Sequence, residues 1–258
     1  MLLNKIFKYS LIFFPIMLFA EGNYVISPPI TDVSIDRPQN ISFLVVNKGE
    51  EQLKMSISLM YFPVDSKFMP KAKAIDPETT KNDDLSQYID FNPKVLSIKP
   101  GQQKTVRVSV HPSQGLADGE YRAHLNFKVL DMEKTNNTKN VTNTTKSNAL
   151  MNITFKKEIA AVIYGSKGTG YAKLSTKCST LKDGKVKVTV TNSGKWRFKG
   201  RYMIVNNEDL TDILVITRES IRDIVLNGII KKTKEPIKIE WIPDDDKKET
   251  ITTTCLIK

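Results

Sequence analysis

Residues 92–130 read NPKVLSIKPGQQKTVRVSVHPSQGLADGEYRAHLNFKVL, and this stretch decides the fold. It holds two alternating runs. In the first, Val106, Val108 and Val110 are separated by Arg107 and Ser109. In the second, Tyr121, Ala123, Leu125, Phe127 and Val129 are separated by Arg122, His124, Asn126 and Lys128. Successive side chains of a β-strand point to opposite faces, so a period of two lays one set on a buried face and the other in water. On this reading His124 is a solvent-facing histidine. Pro100-Gly101 supplies a turn ahead of the first run, and Asp118-Gly119 one ahead of the second.

The same pattern extends upstream. Residues 40–47, NISFLVVN, place Ile41, Phe43 and Val45 on one face. Residues 53–62 alternate Leu53, Met55, Ile57, Leu59 and Tyr61 against Lys54, Ser56, Ser58 and Met60. Residues 63–90 form a polar connection containing Pro63, Pro70 and Pro77, with a weak helical or short-strand patch at 85–89. Within it, Asp83-Asp84 reads as a solvated loop tip.

Downstream, residues 131–148 (DMEKTNNTKNVTNTTKSN) are almost devoid of large apolar side chains. Such a tract cannot bury enough surface to offset its ordering entropy and reads as a mobile loop. Residues 150–164, LMNITFKKEIAAVIY, suit one long strand with Met151, Ile153 and Phe155 on a shared face. GSKGTG at 165–170 ends it. No helix pattern follows these glycines and the Lys-Ser/Thr ending of a phosphate loop is missing, so they read as a hinge between domains. The second half repeats the strand pattern at 171–175, 185–192, 200–205, 213–217, 237–241 and 250–257, while 218–226 fits either one helical turn or an edge strand. Closely spaced strands without strong helix patterns indicate sandwiches. The expected fold is all-β: two immunoglobulin-like β-sandwich domains joined by a hinge, after an N-terminal signal peptide. The expected boundaries are 1–20 for the signal, 21–164 for the first domain and 165–258 for the second.

The 258 residues leave room for two domains of common size. Lys5 and Lys8 precede the apolar run LIFFPIMLFA at 11–20, and Ala20 suits a cleavage position. That run is well short of the ~20 residues that span a bilayer. The mature chain is therefore expected to be exported, with no stable membrane insertion. Cys178 and Cys255 are the two cysteines, and in an exported chain an even count favours a disulfide. Such a bridge would close a loop of about 80 residues, worth roughly 4 kcal/mol in the chain-entropy model.

The net charge of +11 is mostly lysine scattered over expected solvent faces. Nucleic-acid binding wants a concentrated basic stripe with aromatic platforms, so nucleic acid is not an expected partner. The two histidines, His111 and His124, and the distant cysteines have no metal-ligand spacing. Asp244-Asp245-Asp246 lacks the ligand spacing and turn glycine of a calcium loop. No nucleophile elbow or zinc-protease motif is present. The expectation is a binding scaffold without cofactor, metal or catalytic residues.

The combination resembles the periplasmic pilus-assembly chaperones of bacterial chaperone–usher systems, in their non-rod branch. The resemblance rests on the export signal, Ile26-Ser27-Pro28, ISFLVVNKG at 41–49, LSQYIDFNPKVLSIKPGQQKTVRV at 85–108, DGEYRAHLNF at 118–127 and, in the second half, VTVTNSGKWRFKG at 188–200. It implies a periplasmic protein of two immunoglobulin-like domains that performs no catalysis. Such a protein binds pilus or fimbrial subunits and delivers them to an outer-membrane usher. Those subunits lack one strand, and the chaperone lends the last strand of its first domain to the open groove. Here that strand is 150–161, with Met151, Ile153 and Phe155 as the inserted face. The family also anchors the subunit's terminal carboxylate with an arginine on the first strand and a lysine on the donor strand. This sequence departs from that pattern, with Thr31 at the arginine position and Ala160 or Ala161 at the lysine position. Lys156 and Lys157 are the lysines left to take the role by charge-assisted hydrogen bonding. The alternative is an exported adhesin or pilus structural subunit built from similar sandwiches. A secreted ligand binder would want a surface aromatic strip, whereas Trp196 and Trp241 sit in strand-edge contexts that look structural.

Overall fold

The computed structural model describes residues 24–64, 66, 72–76, 82–112, 115–130, 158–205, 207–226 and 236–257. The first sandwich is built from β1 (Tyr24–Ser27), β2 (Ile30–Ser34), β3 (Gln39–Asn47), β4 (Leu53–Met60), β6 (Ile89–Asn92), β7 (Val95–Ile98), β8 (Gln103–Val110), β9 (Gly119–Val129) and β10 (Glu158–Lys167). One sheet runs β1-β3-β8-β6 and faces a second that runs β2-β10-β9-β4-β7. Phe43, Val45, Val106, Val108, Leu125 and Phe127 meet between them with no exposed surface. These are the inward members of the alternating runs, so here the period of two translates directly into a core. The turn at Lys99 to Gln102 has Pro100 at its second position and Gly101 at its third. Gly101 takes φ +71° and the Gln102 N–H donates to the Lys99 carbonyl at 3.1 Å, as a type II turn requires.

The second sandwich comprises β11 (Leu174–Thr180), β12 (Val186–Asn192), β13 (Phe198–Ile204), β14 (Asn207–Ile216), β15 (Ser220–Leu226), β16 (Ile237–Pro243) and β17 (Ile251–Cys255). Its core is centred on the fully buried Trp241, which meets Phe198 edge-on at 5.8 Å between ring centres. The indole N–H donates to Thr253 Oγ1 at 2.8 Å, so burial leaves no donor unpaired. A disulfide between Cys178 and Cys255 ties β11 to the end of β17, with the Cα atoms 5.5 Å apart.

Each sandwich places a buried asparagine at one strand end. Asn47 Nδ2 donates to the carbonyls of Glu51 and Ile98, and its Oδ1 accepts from the Gly49 N–H. Asn192 Nδ2 donates to the carbonyls of Trp196 and Thr217, and its Oδ1 accepts from Gly194. The Asn-x-Gly that follows a valine-rich run in both halves is thus a local lock that satisfies otherwise buried backbone groups.

Several expectations are corrected. Arg122, His124 and Asn126 are not in water: they are 2%, 6% and 5% exposed. Beyond Met60 the strand β4 leaves β9, and residues 83–85 take its place. The Arg122 N–H donates to the Asp83 carbonyl at 2.8 Å, and the Leu85 N–H to the Arg122 carbonyl at 2.9 Å. Asp83 is accordingly no solvated tip but 6% exposed, with its carboxylate 3.1 Å from Arg122 Nε. Phe62 lies on His124 with ring centres 4.5 Å apart. The patch at 85–89 resolves into a 3-10 turn, Ser86–Tyr88, running into β6. Residues 218–226 contain a strand, β15, paired with β12 on one side. On the other side it takes up β5 (Ala72–Ala74), which comes from the long connection of the first half.

Candidate functional site: the open edge of the tenth strand and the junction beneath it

Strand β10 pairs along its whole length with β9, from Glu158 opposite Lys128 to Lys167 opposite Gly119. Its other edge is covered only in part. Strand β2 runs parallel to it and meets Val162 to Ser166. The Val162 N–H donates to the Pro29 carbonyl at 2.9 Å, so this residue's backbone donor points to the β2 side. By the period of two, the donors of Ala160 and Glu158 point the same way. Among the described residues no strand meets them there. An unpaired row of backbone groups is a template for another chain's strand. Ala161 and Ile163 face the first core and are fully buried; Ala160 is half-buried and Glu158 exposed on the opposite face. The Glu158 carboxylate accepts from Asn126 Nδ2, which holds this end of β10 against β9.

Met151, Ile153, Phe155, Lys156 and Lys157 lie outside the described residues, as do residues 1–20 and the 131–148 tract. Thr31 lies on β2 opposite Ile163, not opposite Ala160 or Ala161.

Where β10 and β9 approach the second half, they meet a buried ionic cluster. Arg197, 9% exposed, donates through Nη1 to Glu120 Oε2 at 2.9 Å and through Nη2 to Asp32. Its guanidinium stacks over the Tyr164 ring at 3.6 Å. Arg218 Nη1 donates to the Glu120 carbonyl at 2.8 Å, and the Glu120 N–H donates to the Lys195 carbonyl at 2.9 Å. The close approach depends on Gly119, where a Cβ would stand 3.2 Å from Arg218 Nη1 and 3.3 Å from the Lys195 Cβ. Burial pushes the Glu120 carboxyl up to about 7, with Arg197 pulling it back down. Burial, aided by the charge of Arg122, holds His124 down to about 4. A cleft of about 710 Å³ opens beside the cluster, lined by Asp32, Glu120, Arg197 and Lys199 together with Tyr171 and Lys248. Its charges are mixed, so it favours neither an anion nor a cation.

Asp32, Glu120, Arg197 and Arg218 carry no signal of this role in the sequence. Glu120 and Arg122 belong to the Glu-Tyr-Arg run that supports the resemblance, yet charge alone does not reveal a partner far along the chain. Among the described residues no group of acidic, histidine or cysteine side chains could hold a metal ion. Nor is any helix there long and apolar enough to cross a membrane.

Solved structures of pilus-assembly chaperones and their complexes share this fold of two immunoglobulin-like sandwiches. A chain of the CsuC–CsuE chaperone–tip subunit pre-assembly complex of Acinetobacter baumannii Csu pili matches at TM-score 0.53 and 14% identity, over 91% of this chain and 100% of that one. A chain of the Salmonella enterica SafA pilin–SafB chaperone complex matches at TM-score 0.51 and 11% identity, over 90% and 96%. The E. coli chaperone DraB matches at TM-score 0.50 and 9% identity, over 92% and 97%. No protein-family model matches the sequence, and no curated protein matches it. The likeness lies in the fold, at identities where sequence comparison is silent.

Proposed function

We propose that this chain is a periplasmic chaperone that binds pilus or fimbrial subunits by donating a β-strand and delivers them to an outer-membrane usher. The observation that carries this reading is the open edge of β10 at Glu158 and Ala160, in a chain with the pilus-chaperone fold. Ile159, Ala161 and Ile163 form the odd-numbered face that β10 turns to its own core. Met151, Ile153 and Phe155 continue that odd-numbered series in the sequence. Added to a strand-deficient subunit, they fill its groove while backbone pairing supplies the common affinity. Lys156 or Lys157 takes the subunit's terminal carboxylate. The working domains are the first sandwich, which carries the donor strand and ends with β10 at Lys167, and the second, which completes the cleft.

Co-expression with a strand-deficient pilus subunit of the same organism tests the proposal. The subunit is expected to be soluble only in its company and to co-purify with it. A subunit equally soluble alone sinks the reading. Ala160→Pro refines the test. Proline lacks the N–H and is tolerated where that donor faces outward on an edge. The variant should fold, since the β9 ladder is untouched, yet recover on the order of tenfold less complex.

A further inference from the structure

We infer that the junction between the two sandwiches is a proton-sensitive latch, in which Arg197 is shared by two carboxylates and the protonation of Glu120 sets how firmly the halves are held together. The geometry is that of a shared cation. One guanidinium faces Glu120 from β9 and Asp32 from β2, the former 9% exposed and the latter 50%. The stacked ring of Tyr164, from β10, presents its own negative face to the same guanidinium. No other cation bonds the Glu120 carboxylate among the described residues. Arg218, just ahead of β15, spends Nη1 on the Glu120 main-chain carbonyl, and its Nε and Nη2 bind Glu219. Lys199, on β13, reaches Asp32 Oδ2 at 3.6 Å. Lys248, from the loop between β16 and β17, acts on Glu120 only through space. Lys195 contributes its carbonyl and not its charge. Glu120 thus holds only part of one guanidinium while its carboxylate is buried, so loss of water favours its proton and the Asp32 charge adds a smaller push.

The sign follows. In the closed junction the Glu120 carboxyl is pushed up to about 7, above the ordinary 4.5 that it regains when the junction opens to water. The closed form therefore holds the proton more tightly, and acid favours closure. The benefit is full below about pH 4.5 and is lost as pH rises towards about 7, with opening growing by up to about tenfold per pH unit between those limits. Above that range the opening constant levels off. In an exported chain bathed in a compartment open to the medium, the two halves would be held most rigidly in acid and move most freely at neutral pH. Nothing in this device depends on strand donation.

The Glu120 amide reports the latch directly, because it donates across the junction to the Lys195 carbonyl. Its hydrogen-exchange protection, corrected for intrinsic exchange and measured by NMR between pH 4.5 and 8, is expected to fall with rising pH and flatten near pH 7. The amide of Val108, in the first core, serves as reference. Glu120→Gln should abolish the pH dependence of the 120 amide. Asp32→Asn keeps Glu120 titratable but removes the competing carboxylate, and should move the midpoint to lower pH. A flat wild-type profile overturns the latch. So does an unchanged profile in Glu120→Gln or an unmoved midpoint in Asp32→Asn.

Discussion

His124 is a neutral histidine enclosed between a strand and the chain that crosses it. Phe62 covers its ring and Arg122 stands nearby as a like charge to the imidazolium. Its folded value of about 4 lies below the ordinary 6.5, so the unfolded chain binds the proton more readily. The stability that follows is present above about pH 6.5 and is lost as pH falls through about 4, roughly 3 kcal/mol in all. In a Glu120→Gln background, which removes the opposite contribution of that raised carboxyl, urea unfolding at pH 7.5 and 5.0 should show the first sandwich weakening in acid. His124→Phe, which keeps a ring against Phe62, should flatten that difference, and an undiminished difference in the variant contradicts the assignment. This residue also marks the limit of what alternation conveys. The period of two in residues 121–129 correctly separates Leu125 and Phe127 from His124 and Asn126. It reports which side a residue faces, and does not report that a distant segment lies over that side. Asp83, read in isolation as a loop-tip acid, is the partner that makes a buried Arg122 tolerable.

Among the elements, β5 has no trace in the sequence. Ala72–Ala74 reads AKA, with no apolar alternation, inside a polar connection. Its strand character comes wholly from pairing with β15, where Lys73 lies opposite Ile221. The Ile75 N–H donates to the Glu219 carbonyl at 3.1 Å, so by alternation the Lys73 N–H also faces β15 and the Ile221 N–H faces Lys73. Lys73→Pro removes that donor. The Ile221 amide should then exchange about tenfold faster while Val108 in the first core is unaffected. An unchanged Ile221 amide would mean that β5 is not held there in solution. The longer strands were legible because their cores are written locally: Val186, Val188 and Val190 announce β12 as Val106, Val108 and Val110 announce β8. The choice at 218–226 between a helical turn and a strand was not, because the pairing partners β12 and β5 lie outside any local window.

At the scale of the molecule, two separate cores are joined by a polar junction. The first gathers residues from Tyr24 to Ile163 and the second residues from Cys178 to Cys255. That plan follows from turn spacing and alternation. How the halves meet does not, since the Arg197 contacts span 77 residues to Glu120 and 165 to Asp32. The open edge of β10 was legible only as a long strand. Its exposure depends on where β2 begins to pair, a tertiary fact. The central claim is that this edge receives a subunit's strand. Amide exchange at Glu158 and Ala160, measured for the chain alone and in complex with the strand-deficient subunit, tests it most directly. The account predicts fast exchange in the free chain and strong protection in the complex; a complex that forms while these two amides still exchange freely contradicts it.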